Sequence, residues 1–372
     1  MRLPLNLAAL LLVAGSACAP SGAAQPEPSG AIHWEIEDSD RPGQVQLEIS
    51  RRSGGNHWTI GRNVPVASLA GLEESQLAGA GGPVRFRMAR DAGTLDCEGV
   101  VRRGRGTGDC RFAADPGFAA ELAERGIGRP TGEQQFSMAM HDIGLDYIDE
   151  LRRQRYETPS PADLARAGDH GVTFDYLRGM GGHGYRVGRL ASLIEMRDHG
   201  VGPDYVAGLA RYDIRDIPAD EIVRLRDHGV TPDFVGQLLE LGYPGLTTEA
   251  LIQLRDHGVT PDFVRTLARH GIRDVPPAQL TRLRDHGVSP DFVAALRAHG
   301  YGRFGTEEII RLRTHGVDGD YVGSLRRLGY TDLSAEEIVR LRTHGVDPEF
   351  IGRVNGRERA TPDELVRLRT GG

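Results

Sequence analysis

Hydrophobic and polar residues alternate along the segment from residue 31 to residue 112. Ile32, Trp34 and Ile36 are separated by polar residues, and later runs share this period of two. Those runs contain Val45, Leu47 and Ile49, then Trp58 and Ile60, then Val84, Phe86 and Met88. A period of two places alternate side chains on one face of a strand. The pattern therefore predicts a small antiparallel β domain over residues 31–112.

From residue 113 to residue 372 the hydrophobic period becomes helical, and the sequence repeats every 29 residues. Eight histidines stand at this interval, namely His141, His170, His199, His228, His257, His286, His315 and His344. An aromatic residue follows each histidine by six positions; these residues are Tyr147, Tyr176, Tyr205, Phe234, Phe263, Phe292, Tyr321 and Phe350. A fixed period of this length is the signature of a repeat architecture.

Each repeat contains the start and stop signals of two short helices. Thr260 is a helix-capping residue, Pro261 suits the first helical position, and Asp262 complements the positive end of the helix dipole. Gly258 can adopt the left-handed conformation that ends the preceding helix, and Val259 supplies the hydrophobic contact that accompanies such an end. Helices this short are marginal alone, so they must be stabilised by packing on the next repeat. We therefore expect a mainly α protein, with an α-solenoid of about eight two-helix repeats of 29 residues over residues 113–372, preceded by the small antiparallel β domain.

Two cysteines lie on opposite sides of a predicted hairpin turn at Arg103-Gly104. This turn would place Cys97 directly opposite Cys110 on the same face of the sheet. Such a pair in an exported domain predicts a disulfide. The alternative is two free thiols that pack as small hydrophobic side chains.

Regularly spaced histidines raise the question of metal binding. Equivalent side chains in neighbouring repeats should lie roughly 8 to 10 Å apart, whereas two nitrogens on one zinc ion each lie about 2 Å from the metal. Each histidine instead precedes a helix-ending glycine, where its ring can bond the last carbonyls. We interpret the following residues as structural caps, with pH sensing or metal binding as alternatives: His199, His228, His257, His286, His315 and His344. The aromatic residues are expected in the core rather than in a ligand platform.

Arginine forms a third series. It is a candidate binding strip for an extended acidic peptide or an anionic polymer, because the guanidinium group presents a planar fork to carboxylates. Its members are Arg197, Arg226, Arg255, Arg284, Arg313 and Arg342. The alternative is an ordinary solvated face, partly neutralised by the recurring aspartates at Asp204, Asp233, Asp262, Asp291 and Asp320.

The first residues are typical of an export signal, with Arg2 before the apolar run from Leu3 to Ala14. We assign residues 1–24 to a signal peptide and residues 25–30 to a flexible linker. Cys18 lies in a segment that resembles the lipidation motif of bacterial lipoproteins, although Gly15 stands where leucine is usual. The alternative is ordinary cleavage after Ala24. The protein is expected to be exported, as a periplasmic or outer-membrane lipoprotein or as a secreted protein, with membrane association only through a lipid anchor.

Composition and motifs limit the functions to be considered. The chain has net charge -7 and no lysine, so it offers no basic surface of the kind that binds nucleic acid. The sequence contains no HExxH, GxSxG or Walker motif. We therefore expect no catalytic residues, no cofactor and no resident metal ion.

The repeats resemble those of a known family. The run from Leu254 to Val264, together with Leu241-Gly242-Tyr243 between the helices of a repeat, is similar to the helical repeats of bacterial antirepressor metallopeptidases of the beta-lactam-sensor type. The resemblance covers residues 112–372. It implies an extracytoplasmic accessory or sensing module; it does not imply proteolysis or zinc, because the peptidase motif is missing from this sequence.

The sequence thus predicts a non-enzymatic extracytoplasmic repeat scaffold that binds a protein or peptide partner. Two alternatives remain open: an envelope protein that binds anionic polymer or metal, and a hydrolase without recognised motifs.

Overall fold

A computed structural model describes residues 30–53, 56–355 and 359–371. The predicted signal peptide, the linker up to residue 29 and the candidate lipidation residue Cys18 lie outside these residues. In the described part, an antiparallel sheet is followed by a long series of short helices in a repeat-like arrangement. The prediction of a sheet domain followed by packed helices is therefore confirmed.

Six strands form the sheet, in the spatial order β3-β2-β1-β6-β5-β4. Their bounds are β1 (Ile32–Asp38), β2 (Gln44–Ser53), β3 (Asn56–Pro65), β4 (Gly82–Arg90), β5 (Gly93–Arg102) and β6 (Arg105–Ala114). A 3-10 turn at Val66–Ser68 and a short helix, α1 (Glu74–Ala78), connect β3 to β4. All neighbouring strands are antiparallel.

The alternating pattern of the sequence corresponds to one buried face of the sheet. Trp34 is fully buried at its centre, and its indole Nε1 donates a hydrogen bond of 3.1 Å to the carbonyl of Glu98. Glycines on β5 and β6 make room for this ring, since a Cβ atom on Gly99 or Gly108 would lie 2.6 or 2.7 Å from indole atoms. Larger residues at these glycines would displace the tryptophan from the core.

Two further helices belong to the same compact body as the sheet, α2 (Pro116–Glu124) and α3 (Gly132–His141). Buried Gln135 on α3 donates to the carbonyls of Ala92 and Asp115, at 3.0 and 2.8 Å. Phe136 packs edge-on against Phe112 on the sheet, with 5.3 Å between ring centroids. This body, the sheet unit, extends to Leu145 and includes Ser160–Ala165. It therefore continues past residue 112, where the sequence pattern placed the start of the repeats.

The second compact body, the helical unit, comprises Asp146–Pro159 and the residues from Arg166 onward. The helices that follow α3 along the chain are α4 (Leu145–Arg153), α5 (Pro161–Asp169), α6 (Phe174–Gly182), α7 (Leu190–Asp198), α8 (Pro203–Ala210), α9 (Ala219–Asp227), α10 (Pro232–Glu240), α11 (Thr248–Asp256), α12 (Pro261–Arg269), α13 (Pro277–Asp285), α14 (Pro290–Ala298), α15 (Thr306–Thr314), α16 (Gly319–Arg327), α17 (Ala335–Thr343), α18 (Pro348–Val354) and α19 (Pro362–Thr370). From α6 onward, each helix contacts the helix two places later in the chain. The even-numbered helices therefore form one row and the odd-numbered helices another.

The helices begin and end at the signals in the sequence. Thr260 Oγ1 accepts a hydrogen bond of 3.1 Å from the Phe263 amide, and Pro261 occupies the first turn of α12. Gly258 has a φ of +67°, and the Val259 amide returns to the Leu254 carbonyl at 2.9 Å, which closes α11. Apolar side chains such as Phe263 are buried, and each contributes about 1.5–3 kcal/mol. Burial between helices thus supplies the stability that helices of this length lack alone.

Candidate functional site

The arginine row, defined as Arg197, Arg226, Arg255, Arg284, Arg313 and Arg342, lies against the aromatic residues of the preceding repeats. The Cζ atom of Arg284 is 5.2 Å from the ring centroid of Phe263. Arg284 Nε donates to the carbonyl of Gly258 at 3.1 Å, and Nη1 donates to the carbonyl of Val288 at 3.5 Å. One side chain therefore combines a cation–π contact with hydrogen bonds to the turn of the preceding repeat and to the turn of its own.

This geometry recurs through the row. The distances from Cζ to the ring centroid are 5.5 Å for Arg197 and Tyr176, 5.1 Å for Arg226 and Tyr205, 5.5 Å for Arg255 and Phe234, 5.0 Å for Arg313 and Phe292, and 4.9 Å for Arg342 and Tyr321. The Nε atoms of Arg197, Arg313 and Arg342 also donate hydrogen bonds to the carbonyl oxygen of the helix-ending glycine one repeat earlier. The guanidinium groups that were candidates for ligand binding are thus engaged in contacts between repeats.

Sequence reasoning missed one member of this series. Arg369 lies 5.1 Å from the ring centroid of Phe350, in the same relation as Arg342 to Tyr321. Two fewer residues separate Arg369 from Arg342 than separate the other neighbouring arginines. Allowing for this two-residue deletion would have identified it.

All six histidines interpreted as caps occupy the C-cap positions of odd-numbered helices, α7 to α17. Their rings, however, mostly have a different partner from the predicted one. In four pairs, the histidine Nδ1 is within hydrogen-bond distance of an aspartate Oδ1 of the next repeat. The Nδ1–Oδ1 distance is 2.8 Å for His170 and Asp198, for His199 and Asp227, and for His228 and Asp256, and it is 2.5 Å for His257 and Asp285. Among the six histidines interpreted as caps, His344 has a ring that contacts one of the last helix carbonyls as predicted; its Nδ1 is 2.8 Å from the carbonyl oxygen of Arg340.

The physical reason is the stacking of the odd-numbered helices. Stacking brings the aspartate that precedes each histidine beside the histidine of the repeat before, and a carboxylate is a stronger acceptor than a carbonyl. At His286 the partner is Thr314 Oγ1, 3.1 Å from Nδ1, because threonine replaces aspartate there. His315 closes α15 through its backbone amide, which donates to the carbonyl of Arg311 at 3.2 Å.

The hydrogen bond to Asp227 raises the pKa of His199 above its ordinary value, with smaller contributions from the nearby charges of Asp227, Glu195 and Asp198. Protonation of this exposed ring therefore strengthens the contact between neighbouring repeats.

The aromatic row, defined as the residues six positions after each of the eight histidines, lies in the core, in agreement with its interpretation, except for half-buried Phe350. Three of its tyrosines also bond between repeats, since the hydroxyls of Tyr176, Tyr205 and Tyr321 donate to valine carbonyls one repeat later at 2.7, 2.8 and 2.8 Å. Burial raises the pKa of each of these three hydroxyls well above its ordinary value. They remain neutral donors at physiological pH.

In the sheet unit, Cys97 pairs directly with Cys110 in the β5–β6 register, and the two form a disulfide. Arg103 and Gly104 form the turn with φ of +51° and +78°, values typical of a two-residue hairpin. This prediction is confirmed. A disulfide is favoured in a non-reducing environment.

The outer face of the sheet contains a depression of about 750 Å³ over β4, β5 and β6. Its charges pair with one another across strands: Arg87 Nε lies 2.6 Å from Asp96 Oδ1, and Arg85 Nε lies 3.6 Å from Glu98 Oε2. These two ion pairs engage four of the charged side chains that line the depression.

Within the described residues, no three His, Cys, Asp or Glu side chains are placed to share a metal ion. None of the described helices combines the length and the hydrophobicity needed to cross a membrane. Large hydrophobic side chains exposed in the described chain are Val100, Leu239 and Leu368. The described surface of the helical unit is therefore mainly polar and charged.

An exposed aspartate recurs at one position of successive repeats. The aspartate row, one residue in the first turn of each even-numbered helix from α6 to α16, consists of Asp175, Asp204, Asp233, Asp262, Asp291 and Asp320. Because these helices contact one another in series, the carboxylates form a line. Asp262 is paired with Arg265 on its own helix.

Comparison with known proteins leaves the family open. No family model matches the chain, and no curated protein matches it.

Proposed function

We propose that the protein is a non-enzymatic extracytoplasmic repeat scaffold that binds a protein or peptide partner. Its helical unit is, in this proposal, an α-solenoid of about eight two-helix repeats of 29 residues. The observation that carries the proposal is that repeated residues differ in their contacts. The arginine row and the aromatic row form contacts between neighbouring repeats, whereas the side chains of the aspartate row are exposed. Such an array presents one chemical group many times along a surface.

The contacts between repeats support a scaffold because they fix the spacing of that surface. Arg284 on Phe263, Tyr205 on the Val230 carbonyl and His228 on Asp256 are three kinds of contact that recur along the array. Helices packed in this way are separated by about 8–10 Å. The aspartate row therefore places a negative charge about every 8–10 Å.

This spacing defines the chemistry of the partner. A peptide in the polyproline II conformation rises about 3.1 Å per residue with three residues per turn, so basic residues at every third position lie on one face and match the row. Opposite charges across an interface increase the association rate and the specificity. The partner is thus a basic, extended segment of a protein. The anionic-polymer alternative loses support, because its arginines are used within the array.

Export and anchoring belong to the same proposal. The Cys97–Cys110 disulfide supports an oxidising compartment, and Cys18 would attach the chain to a membrane by lipidation. The resemblance of the repeats to those of beta-lactam-sensor antirepressor metallopeptidases supports a role as an accessory or sensing module of the envelope.

The experiment is affinity capture of bacterial envelope proteins on the purified exported chain, followed by measurement of the dissociation constant for the captured protein. A variant with Asp204→Asn, Asp233→Asn and Asp291→Asn removes three charges from the aspartate row. A control with Asp220→Asn, Asp274→Asn and Glu336→Gln removes three exposed carboxylates elsewhere in the helical unit.

We expect one partner that binds the wild type and the control equally and the row variant at least 10-fold more weakly. The melting temperature of each variant is measured in parallel, because aspartate in the first turn also stabilises its helix. Failure to retain any partner would contradict the scaffold function; equal binding by the row variant would contradict the assigned surface.

A further inference from the structure

Three arginines lie on the inward face of the sheet, where the other strand positions are mainly apolar, and two of them, Arg62 and Arg90, are on the outermost strands. On β3, Arg62 is directly opposite Leu47 of β2, whose side chain is buried, so both side chains point inward. On β4, Arg90 continues the inward series after Phe86 and Met88. Strands β3 and β4 are the two edges of the sheet. These two arginines therefore occupy the inner side of both open edges.

The side chain of Arg62 reaches from one edge strand to a side chain of the other. Arg62 Nη2 lies 4.0 Å from Met88 Sδ. Met88 and Arg90 are two positions apart on the same face of β4, which corresponds to about 7 Å along a strand. Both arginines are half-buried, and the side chain of Arg90 is 23% exposed. Each arginine therefore keeps part of its surface in contact with solvent.

Positive charge exceeds negative charge at this place. Arg90 Nε lies 3.0 Å from Oδ1 of Asp142, the residue that ends α3. In the described residues, Arg62 has no carboxylate within ion-pair distance, and its Nη2 contacts the Met88 thioether. Arg51, on the inward face of β2, is paired with Glu133 and stacked on Phe136.

The surroundings of Arg62 disfavour its charge. Burial lowers its pKa, the neighbouring charge of Arg90 lowers it further, and Asp142 acts in the opposite direction. A half-buried cation beside a second cation is unfavourable unless an anion neutralises the pair.

We propose that Arg62 and Arg90 bind an oxyanion of the carboxylate or phosphate class at the gap between β3 and β4. Each guanidinium group offers two parallel N–H donors that match such an anion. The carboxylate of Asp142 already holds one side of Arg90, so the site accepts a single oxyanion group rather than a polyanion. This site belongs to the sheet unit and is independent of the partner surface on the helical unit.

The test compares the wild type with Arg62→Gln, and with Arg85→Gln as a matched control. Arg85 is on the same strand but points outward, and its side chain is 87% exposed. Melting temperatures are measured with sodium phosphate, sodium acetate or sodium chloride at equal ionic strength. Calorimetric titration of the wild type with phosphate and with acetate gives the affinity directly.

We expect phosphate or acetate to raise the melting temperature of the wild type and of Arg85→Gln more than chloride does. Arg62→Gln should lose this difference and bind the anion at least 10-fold more weakly. Without added oxyanion, Arg62→Gln should melt at the same temperature as the wild type or higher, because it removes a destabilised charge. The proposal is overturned if neither anion gives a saturable heat with the wild type, or if Arg62→Gln keeps the full effect of the anion.

Discussion

At the scale of single residues, the helical unit depends on arginine for contacts that lysine cannot reproduce. The guanidinium group of Arg284 stacks on a ring while it donates in its own plane to two carbonyls. An ammonium group has no such plane. The arginine row therefore has a structural explanation in each repeat where this geometry recurs.

Substitution of Arg284 by alanine should lower the free energy of unfolding by about 2 kcal/mol, because it removes a cation–π contact and charge-assisted hydrogen bonds. Arg282, two residues earlier on α13, forms an exposed ion pair with Glu307 and serves as the control. Urea unfolding followed by circular dichroism measures both variants. Equal effects of Arg284→Ala and Arg282→Ala would contradict the role assigned to the row.

The His199–Asp227 pair makes the contact between repeats dependent on pH. The folded-state pKa of His199 is raised above 6.5, so its contribution to stability is fully present below that value. This contribution is lost as the pH rises through the raised pKa.

Titration of the histidine ring signals by NMR should show a higher pKa for His199 in the wild type than in Asp227→Asn. An unchanged pKa of His199 in Asp227→Asn would show that the carboxylate does not interact with the ring in solution.

At the scale of helices and strands, local signals in the sequence determine where each element begins and ends. One irregular helix end offers a direct test. Asp213 has a φ of +64° at the end of α8, where the equivalent residues Gly242, Gly271, Gly300 and Gly329 are glycines. The left-handed conformation is unfavourable for a residue with a Cβ atom.

Asp213→Gly should therefore raise the free energy of unfolding by about 0.5–1 kcal/mol. The reverse type of change, Gly300→Ala, places a Cβ at a φ of +88° and should destabilise the protein. Thermal unfolding of the two variants checks both signs. A loss of stability in Asp213→Gly would mean that the exposed contact of Asp213 with Arg215 outweighs the backbone strain.

Most helix ends and strands could be predicted from the sequence, because helix caps and the alternation of apolar and polar residues depend on only a few neighbouring positions. The Cys97–Cys110 pairing followed from a two-residue turn. The hydrogen bond between His199 and Asp227 could not be predicted, since it joins residues 28 positions apart and depends on how their helices stack. The assignment of α3 to the sheet unit was also missed, because Gln135 and Phe136 contact the sheet through tertiary packing that the repeat period does not reveal.

At the scale of the whole molecule, the chain contains two compact units that are stabilised in different ways. The helical unit relies on contacts that recur between repeats, whereas the sheet unit has a single core around Trp34 and one covalent cross-link. Each unit can therefore be perturbed separately.

Replacement of Cys97 and Cys110 by alanine should destabilise the sheet unit by about 3 kcal/mol, because the disulfide closes a loop of 13 residues in the unfolded chain. Near-ultraviolet signals from Trp34 and Trp58 report on this unit, since both tryptophans belong to it. Unfolding of the double variant at the same denaturant concentration as the wild type would contradict the expected stabilisation.

The roles assigned to the arginine row and the aspartate row are tested most directly by measuring stability and partner affinity together in two variants. Arg255→Ala with Arg284→Ala alters the arginine row, and the triple asparagine variant alters the aspartate row at Asp204, Asp233 and Asp291. We expect the arginine variant to lose stability but, while folded, to bind the captured partner with unchanged affinity. We expect the aspartate variant to stay folded but to bind at least 10-fold more weakly. The opposite result, with affinity lost through the arginines and retained without the aspartates, would contradict the division between stacking residues and binding residues.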